Sequence, residues 1–172
     1  LKKSISKSMK NGNFYLAVAA LIMLILFISS SQTYEEQSQI GLLQSLLKNE
    51  PFKDQLSDIS FVYGGSEVSI AASGYFKFVE FFIRKGAHFG TYFVMGWGLF
   101  LGTRNKTKLT ALPMILAWLS ATGYAATDEF HQMLTGGRTP LFQDVMLDSV
   151  GAATAIVLTF LVGLIVTKRK RR

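Results

Sequence analysis

Residues 14–30 read FYLAVAALIMLILFISS, an uncharged and almost wholly apolar run that follows Lys2, Lys3, Lys7 and Lys10. A chain needs about 20 mainly apolar residues to cross the roughly 30 Å hydrocarbon layer of a bilayer. The run therefore reads as a membrane span with a basic flank. Working outward, three more candidate spans appear at about 84–102, 109–127 and 145–166, and the last leads into Lys168, Arg169, Lys170, Arg171 and Arg172. A basic leader, an apolar stretch and the small residues Ser29 to Ser31 also fit a signal peptide. Cleavage there would leave the other three spans oriented as before.

The composition supports this frame. Of 172 residues, 49% are hydrophobic and 17% charged, with 14 Phe and 15 Gly, and the mean hydropathy is +0.31. This is too apolar for an ordinary water-soluble enzyme. The chain has no Cys, which removes disulfide frameworks, thiolate metal sites, iron–sulfur clusters and cysteine nucleophiles. A net charge of +7 raises nucleic acid as a partner, but the cations flank the spans and no recognition motif accompanies them. With both termini in the cytoplasm, twelve of the 18 Lys and Arg fall inside, as the positive-inside rule expects. Lys48, Lys53, Lys77, Arg84, Lys85 and Arg138 fall outside with every acid.

The expected fold is thus all-α: a single-domain integral membrane helical bundle with four transmembrane helices. Between the first two spans lies a long polar segment, 32–77. Ile40, Leu42, Leu43, Leu46 and Leu47 recur at helical spacing there, and Pro51 and Gly64–Gly65 punctuate it. Val68, Ala71, Ala72, Tyr75, Phe76, Val79, Phe82 and Ile83 form a second stripe. Two short amphipathic helices on the outer leaflet are expected.

Ionisable groups in or beside spans are costly, so each is a candidate functional residue. Arg84, His88 and Tyr92 are spaced four apart on one face of span two, with Lys85 alongside. Asp128, Glu129, His131 and Gln132 close span three, while Asp144 and Asp148 open span four. Under this topology all share the outer interface. Arg138, in the turn Thr135 to Pro140, could fold back over them. Gly86-xxx-Gly90, Gly98-xxx-Gly102 and Ala117-xxx-Ala121-xxx-Ala125 are spacings that allow close helix approach. Plainer readings stand beside these: Arg84 and Lys85 as snorkelling anchors, Asp144 as a helix cap or dipole partner, and Glu80 and Glu129 as pairs of neighbouring cations or water-facing acids.

The pattern Lys85-x-x-His88-x-x-x-Tyr92, then Asp128-Glu129-x-x-Gln132, then Arg138 and Asp144 before a Gly-containing last helix, resembles the VanZ-like family of small bacterial membrane proteins. The stretch Ser29-Ser30-Ser31-Gln32 with Tyr34 and Gln37 also looks like that family's exit from its first span. The resemblance implies a multi-spanning helical fold and a link, through the family's namesake, to reduced susceptibility to the glycopeptide teicoplanin. It does not supply a mechanism. Residue by residue, it points to Lys85, His88, Tyr92, Asp128, Glu129, Gln132, Arg138 and Asp144, and less directly to His131 and Asp148.

Three functions fit these residues. In the first, the protein binds or processes a phosphorylated lipid or lipid-linked wall precursor at the outer interface. Arg84, Lys85, Tyr92, Gln132, Arg138, Asp144 and Asp148 hold the headgroup, and His88, Asp128, Glu129 and His131 move protons or supply a nucleophile. No cofactor is required, although the His and carboxylate set offers donors for a divalent metal. In the second, the chain is a small lipid or ion transporter, which would require a homo-oligomer. In the third, the polar residues are an ion-pair network that fixes helix register.

Overall fold

The structure, a computed structural model, describes residues 11–107, 109–136 and 139–170. Arg138, a candidate site residue, lies outside the described residues. The elements run α1 (Gly12–Ser30), α2 (Ile40–Leu46), α3 (Lys53–Ser57), β1 (Ser60–Tyr63), β2 (Ser66–Ser69), α4 (Ile70–Ser73), α5 (Tyr75–Arg104), α6 (Ala111–Gly136) and α7 (Phe142–Lys170). The chain is mostly helical, and its four long helices match the four expected apolar segments.

The segment between α1 and α5 corrects the all-α expectation. Ser60–Tyr63 and Ser66–Ser69 pair antiparallel, with Tyr63 opposite Ser66. Gly64 and Gly65, with φ of +58° and +81°, make the two-residue turn, and a turn with both central residues at positive φ suits the twist of a hairpin. The apolar stripe starting at Val68 is therefore not one amphipathic helix. Val68 is a strand residue facing Phe61 across the ladder. Ser69 then caps the short α4 by accepting from Ala72 N at 3.0 Å, and Gly74 at φ +84° breaks the chain before α5. The first amphipathic helix is present as α2. Ile70, Tyr75 and Phe78, with Leu47, Leu56 and Val68 packed on them, form a small second core that joins this segment to the start of α5.

α5 is the central helix, packed against α1, α6 and α7. It is 30 residues long, about 45 Å at 1.5 Å per residue, and it begins nine residues before the expected span at Arg84. Small residues set its distance from its neighbours. A Cβ on Gly96 would lie 2.7 Å from Ala152 Cα on α7, and one on Gly98 would lie 2.8 Å from Tyr15 O on α1. Gly102 likewise packs on Leu16. On α6, Ala117, Ala121 and Ala125 are buried. Gly86 and Gly90 differ: nothing lies within 4 Å of a Cβ at either, so that spacing is no packing motif. Among hydroxyl and indole groups, Trp118 Nε1 donates to Ser149 Oγ at 2.9 Å and Thr122 Oγ1 lies 2.7 Å from it, tying α6 to α7.

Among the described residues, α1 and α7 are long and apolar enough to cross a membrane. α5 and α6 have the length, but their charged and polar residues, Lys77, Glu80, Arg84, Lys85 and His88 on α5 and Asp128, Glu129, His131 and Gln132 on α6, lower their hydropathy.

Candidate functional site

The polar residues gather where α1 and α6 end, α7 begins and the first half of α5 passes between them. A cleft of about 440 Å³ opens at this end. Arg84, Lys85, His88, Glu129, Gln132 and Asp144 line it, together with Tyr34, Lys77, Glu80 and Thr139.

α5 supplies one wall because Glu80, Arg84 and His88 recur every four residues on one helical face. His88 Nδ1 lies 3.4 Å from Asp148 Oδ2 on α7. That engages one ring nitrogen with a carboxylate and leaves Nε2 for whatever occupies the cleft, the arrangement by which a carboxylate orients an imidazole for proton transfer. A turn earlier, Lys85 Nζ bonds Asp144 Oδ1, and Tyr63 OH donates to the same oxygen at 2.6 Å. Lys85 Nζ also lies 4.8 Å from the centre of the Tyr63 ring. Asp144 sits in the first turn of α7, where an acid also complements the helix dipole, and its Oδ1 takes both of these partners. Burial, and then the bond to Asp144, pushes the Tyr63 phenol above its ordinary range. It therefore remains a donor throughout the neutral range.

Deeper in the bundle, Asp128 is 4% exposed. Ser30 Oγ at the end of α1 donates to Asp128 Oδ1 at 2.5 Å, and Gln132 Nε2 donates to Oδ2 at 3.3 Å. Thr135 Oγ1 donates to Ser30 O at 2.6 Å, so α1 is fastened to the last turns of α6. Glu129 Oε1 accepts from Leu141 N at 2.8 Å, which clamps the α6–α7 connection. Glu129 thus accepts from a backbone N–H across the connection. His131 stands apart. Its ring stacks on Phe27 at 4.7 Å, and it does not line the cleft.

Two contributors escaped the sequence reading. Glu80 was expected to meet cations or water, yet it is 1% exposed. It accepts from Gln39 N at 2.5 Å, Ser38 Oγ at 3.1 Å and Tyr34 OH at 3.2 Å, latching residues 34–39 over the cleft. The available signal was its place in the apolar stripe Val79 to Ile83, where a solvated acid is out of phase. Tyr63 could not be found, because nothing local brings a hairpin residue 81 positions away to Asp144.

Four buried polar side-chain atoms among the described residues make no hydrogen bond: Arg84 Nη1, Tyr92 OH, His131 Nδ1 and Asp148 Oδ1. Three of the four belong to residues at or beside His88. Arg84 Nη2 donates to Gln37 Oε1 at 3.0 Å, and the guanidinium lies 4.8 Å from the Tyr34 ring centre. Its other terminal nitrogen is left without a partner. Unsatisfied buried groups are rare enough in folded proteins to need a reason, and a ligand or a proton path is one. No three of His, Asp and Glu among the described residues converge as a metal ion requires.

The VanZ/LLP1 family pattern matches residues 14–163, nearly the whole chain. The chain belongs to the VanZ/LLP1 family. No curated protein and no solved structure matches it. The matched region holds α5 and α6 whole, most of α1 and α7, and every residue of the cleft, so the family resemblance and the polar site coincide.

Proposed function

We propose that this protein is a four-span envelope membrane protein, both termini cytoplasmic, which binds the phosphate-bearing headgroup of a lipid or lipid-linked wall precursor in the cleft. The observation that carries this reading is the coincidence of an oriented imidazole with anion donors that keep spare capacity. His88 is held by Asp148, and Arg84 keeps a buried Nη1 without a partner. The acids of the cleft are largely occupied: Glu80 by three donors, Glu129 by Leu141 N, and Asp144 by Lys85 and Tyr63. Arg84 is then the donor an incoming anion meets, and a guanidinium suits a phosphate's paired oxygens. His88 Nε2 accepts or returns a proton at the bound group. Leu112, Ile115, Leu116 and Leu119 of α6 are exposed, as residues facing lipid would be, and this supports spanning by α6.

The ion-pair network is the second reading, favoured by the Lys85–Asp144 bond, and one experiment separates the two. Purified wild type, His88→Ala and Arg84→Gln are reconstituted in bilayers doped with a lipid phosphate, and retained lipid and unfolding resistance are measured on each. Loss of lipid retention at unchanged stability supports the headgroup site. Loss of stability with retention unchanged, or no retention by wild type, refutes it. The family's link to teicoplanin supplies the cellular counterpart. Wild type is expected to lower susceptibility, and His88→Ala is expected not to do so at equal membrane abundance.

A further inference from the structure

A second cavity, of about 270 Å³, lies between the end of α6 and the start of α7. Ala126, Phe130, Pro140, Phe142 and Val145 line it. Glu129 and Leu141 complete it, and both also line the charged cleft. The two spaces therefore share a partition. Phe130 and Phe142 are 56% and 72% exposed, so the cavity opens sideways to whatever surrounds the bundle. The single acid at the partition already accepts from Leu141 N, which leaves an apolar lining on the groove side.

We propose that this groove is a hydrocarbon-chain subsite continuous with the cleft, so that one lipid phosphate places its headgroup against Arg84 and His88 and one chain between α6 and α7, crossing at Leu141. The inference rests on the lipid-phosphate reading above. What it adds is where the chain goes and why the ligand is an amphiphile and not a free phosphate. The groove sits at the ends of two helices, the depth at which chain meets headgroup. Within a bilayer a chain gains no hydrophobic transfer energy by leaving its neighbours, so the groove acts through packing and by holding the phosphate in register over the cleft. It therefore discriminates among lipids without gripping any chain tightly.

The test uses the full chain in phosphatidylcholine nanodiscs containing either phosphatidic acid or phosphatidylcholine with a photoreactive diazirine halfway down one chain, with labelled peptides mapped. Phosphatidic acid is expected to label residues 126–145 several-fold more than the phosphatidylcholine probe does. Ala126→Trp, which fills the groove from an exposed position, removes that enrichment, and so does Phe142→Glu from the α7 side. Both leave binding of water-soluble dihexanoyl phosphatidic acid within about twofold of wild type. Equal labelling by the two probes, or enrichment that survives both substitutions, overturns the chain subsite alone. Failure of wild type to bind either the long-chain or the dihexanoyl form overturns the headgroup reading with it.

Discussion

Glu80→Ala should release residues 34–39 at the edge of the cleft, and the size of the effect can be worked from its contacts. The Glu80 carboxylate receives Gln39 N, Ser38 Oγ and Tyr34 OH. A hydrogen bond to a carboxylate is worth about 1.5–3 kcal/mol, but bonds sharing one acceptor do not add. Tyr34 is 42% exposed, so its hydroxyl recovers water when the carboxylate is gone, and little is lost there. Deleting the acid also removes the cost of burying it. The net loss is then about 2–3 kcal/mol, a rise of roughly 30- to 150-fold in the opening of residues 34–39. Amide hydrogen exchange reads this directly, because Gln39 N–H is itself one of the bonded donors. Glu80→Gln should stay below about tenfold, since an amide oxygen still accepts from Gln39 and Ser38 while its NH2 faces Tyr34. If Glu80→Ala leaves exchange at residues 34–40 within about twofold of wild type, the latch is wrong and Glu80 serves only the fold.

Ser30→Ala removes the 2.5 Å bond to Asp128 and should cost about 1–2 kcal/mol of unfolding resistance, near the upper end for hydrogen bonds between membrane helices. A double-mutant cycle with Asp128→Ala, which removes the acceptor, should recover a coupling of that size, and zero coupling would contradict the geometry. Gly96→Ala should destabilise by about 1–3 kcal/mol through overpacking against Ala152, while Gly86→Ala, with open space around its Cβ, should be neutral or gain up to about 1 kcal/mol from helix propensity; denaturant titration in detergent compares the two. For Tyr63 the folded phenol is raised above its unfolded value. Its contribution is therefore fully present below about pH 10 and lost as pH rises through the folded value. Alkaline unfolding of Tyr63→Phe should lack that part of the decline, and identical alkaline profiles would show that the bond to Asp144 carries no linkage.

The existence of the long helices and the identity of six cleft residues, Arg84, Lys85, His88, Glu129, Gln132 and Asp144, were readable in the sequence because both are periodic, local properties. Apolar runs declare their lengths, and Arg84, His88 and Tyr92 declare a shared face by fourfold spacing. The four-part motif placed Asp128, Gln132 and Asp144 at helix ends, where the fold indeed brings them together. Local pattern failed where spacing is ambiguous: Val68 fits a helical stripe and an alternating strand equally well, and only Gly64–Gly65 distinguishes the hairpin.

What the tertiary structure alone decided is which polar groups are spent on one another and which remain available. Asp144 and Glu80 look alike in sequence as acids near an interface. One is consumed by Lys85 and a tyrosine from a hairpin, the other by a loop it holds shut. His88 and His131 look alike too, yet one faces the cleft against Asp148 and the other stacks on Phe27. The physical reason is that a side chain's chemistry depends on the donors and acceptors within about 3.5 Å of it. Those partners come from segments separated by tens of residues, at positions that close helix packing, and not any local periodicity, brings into reach.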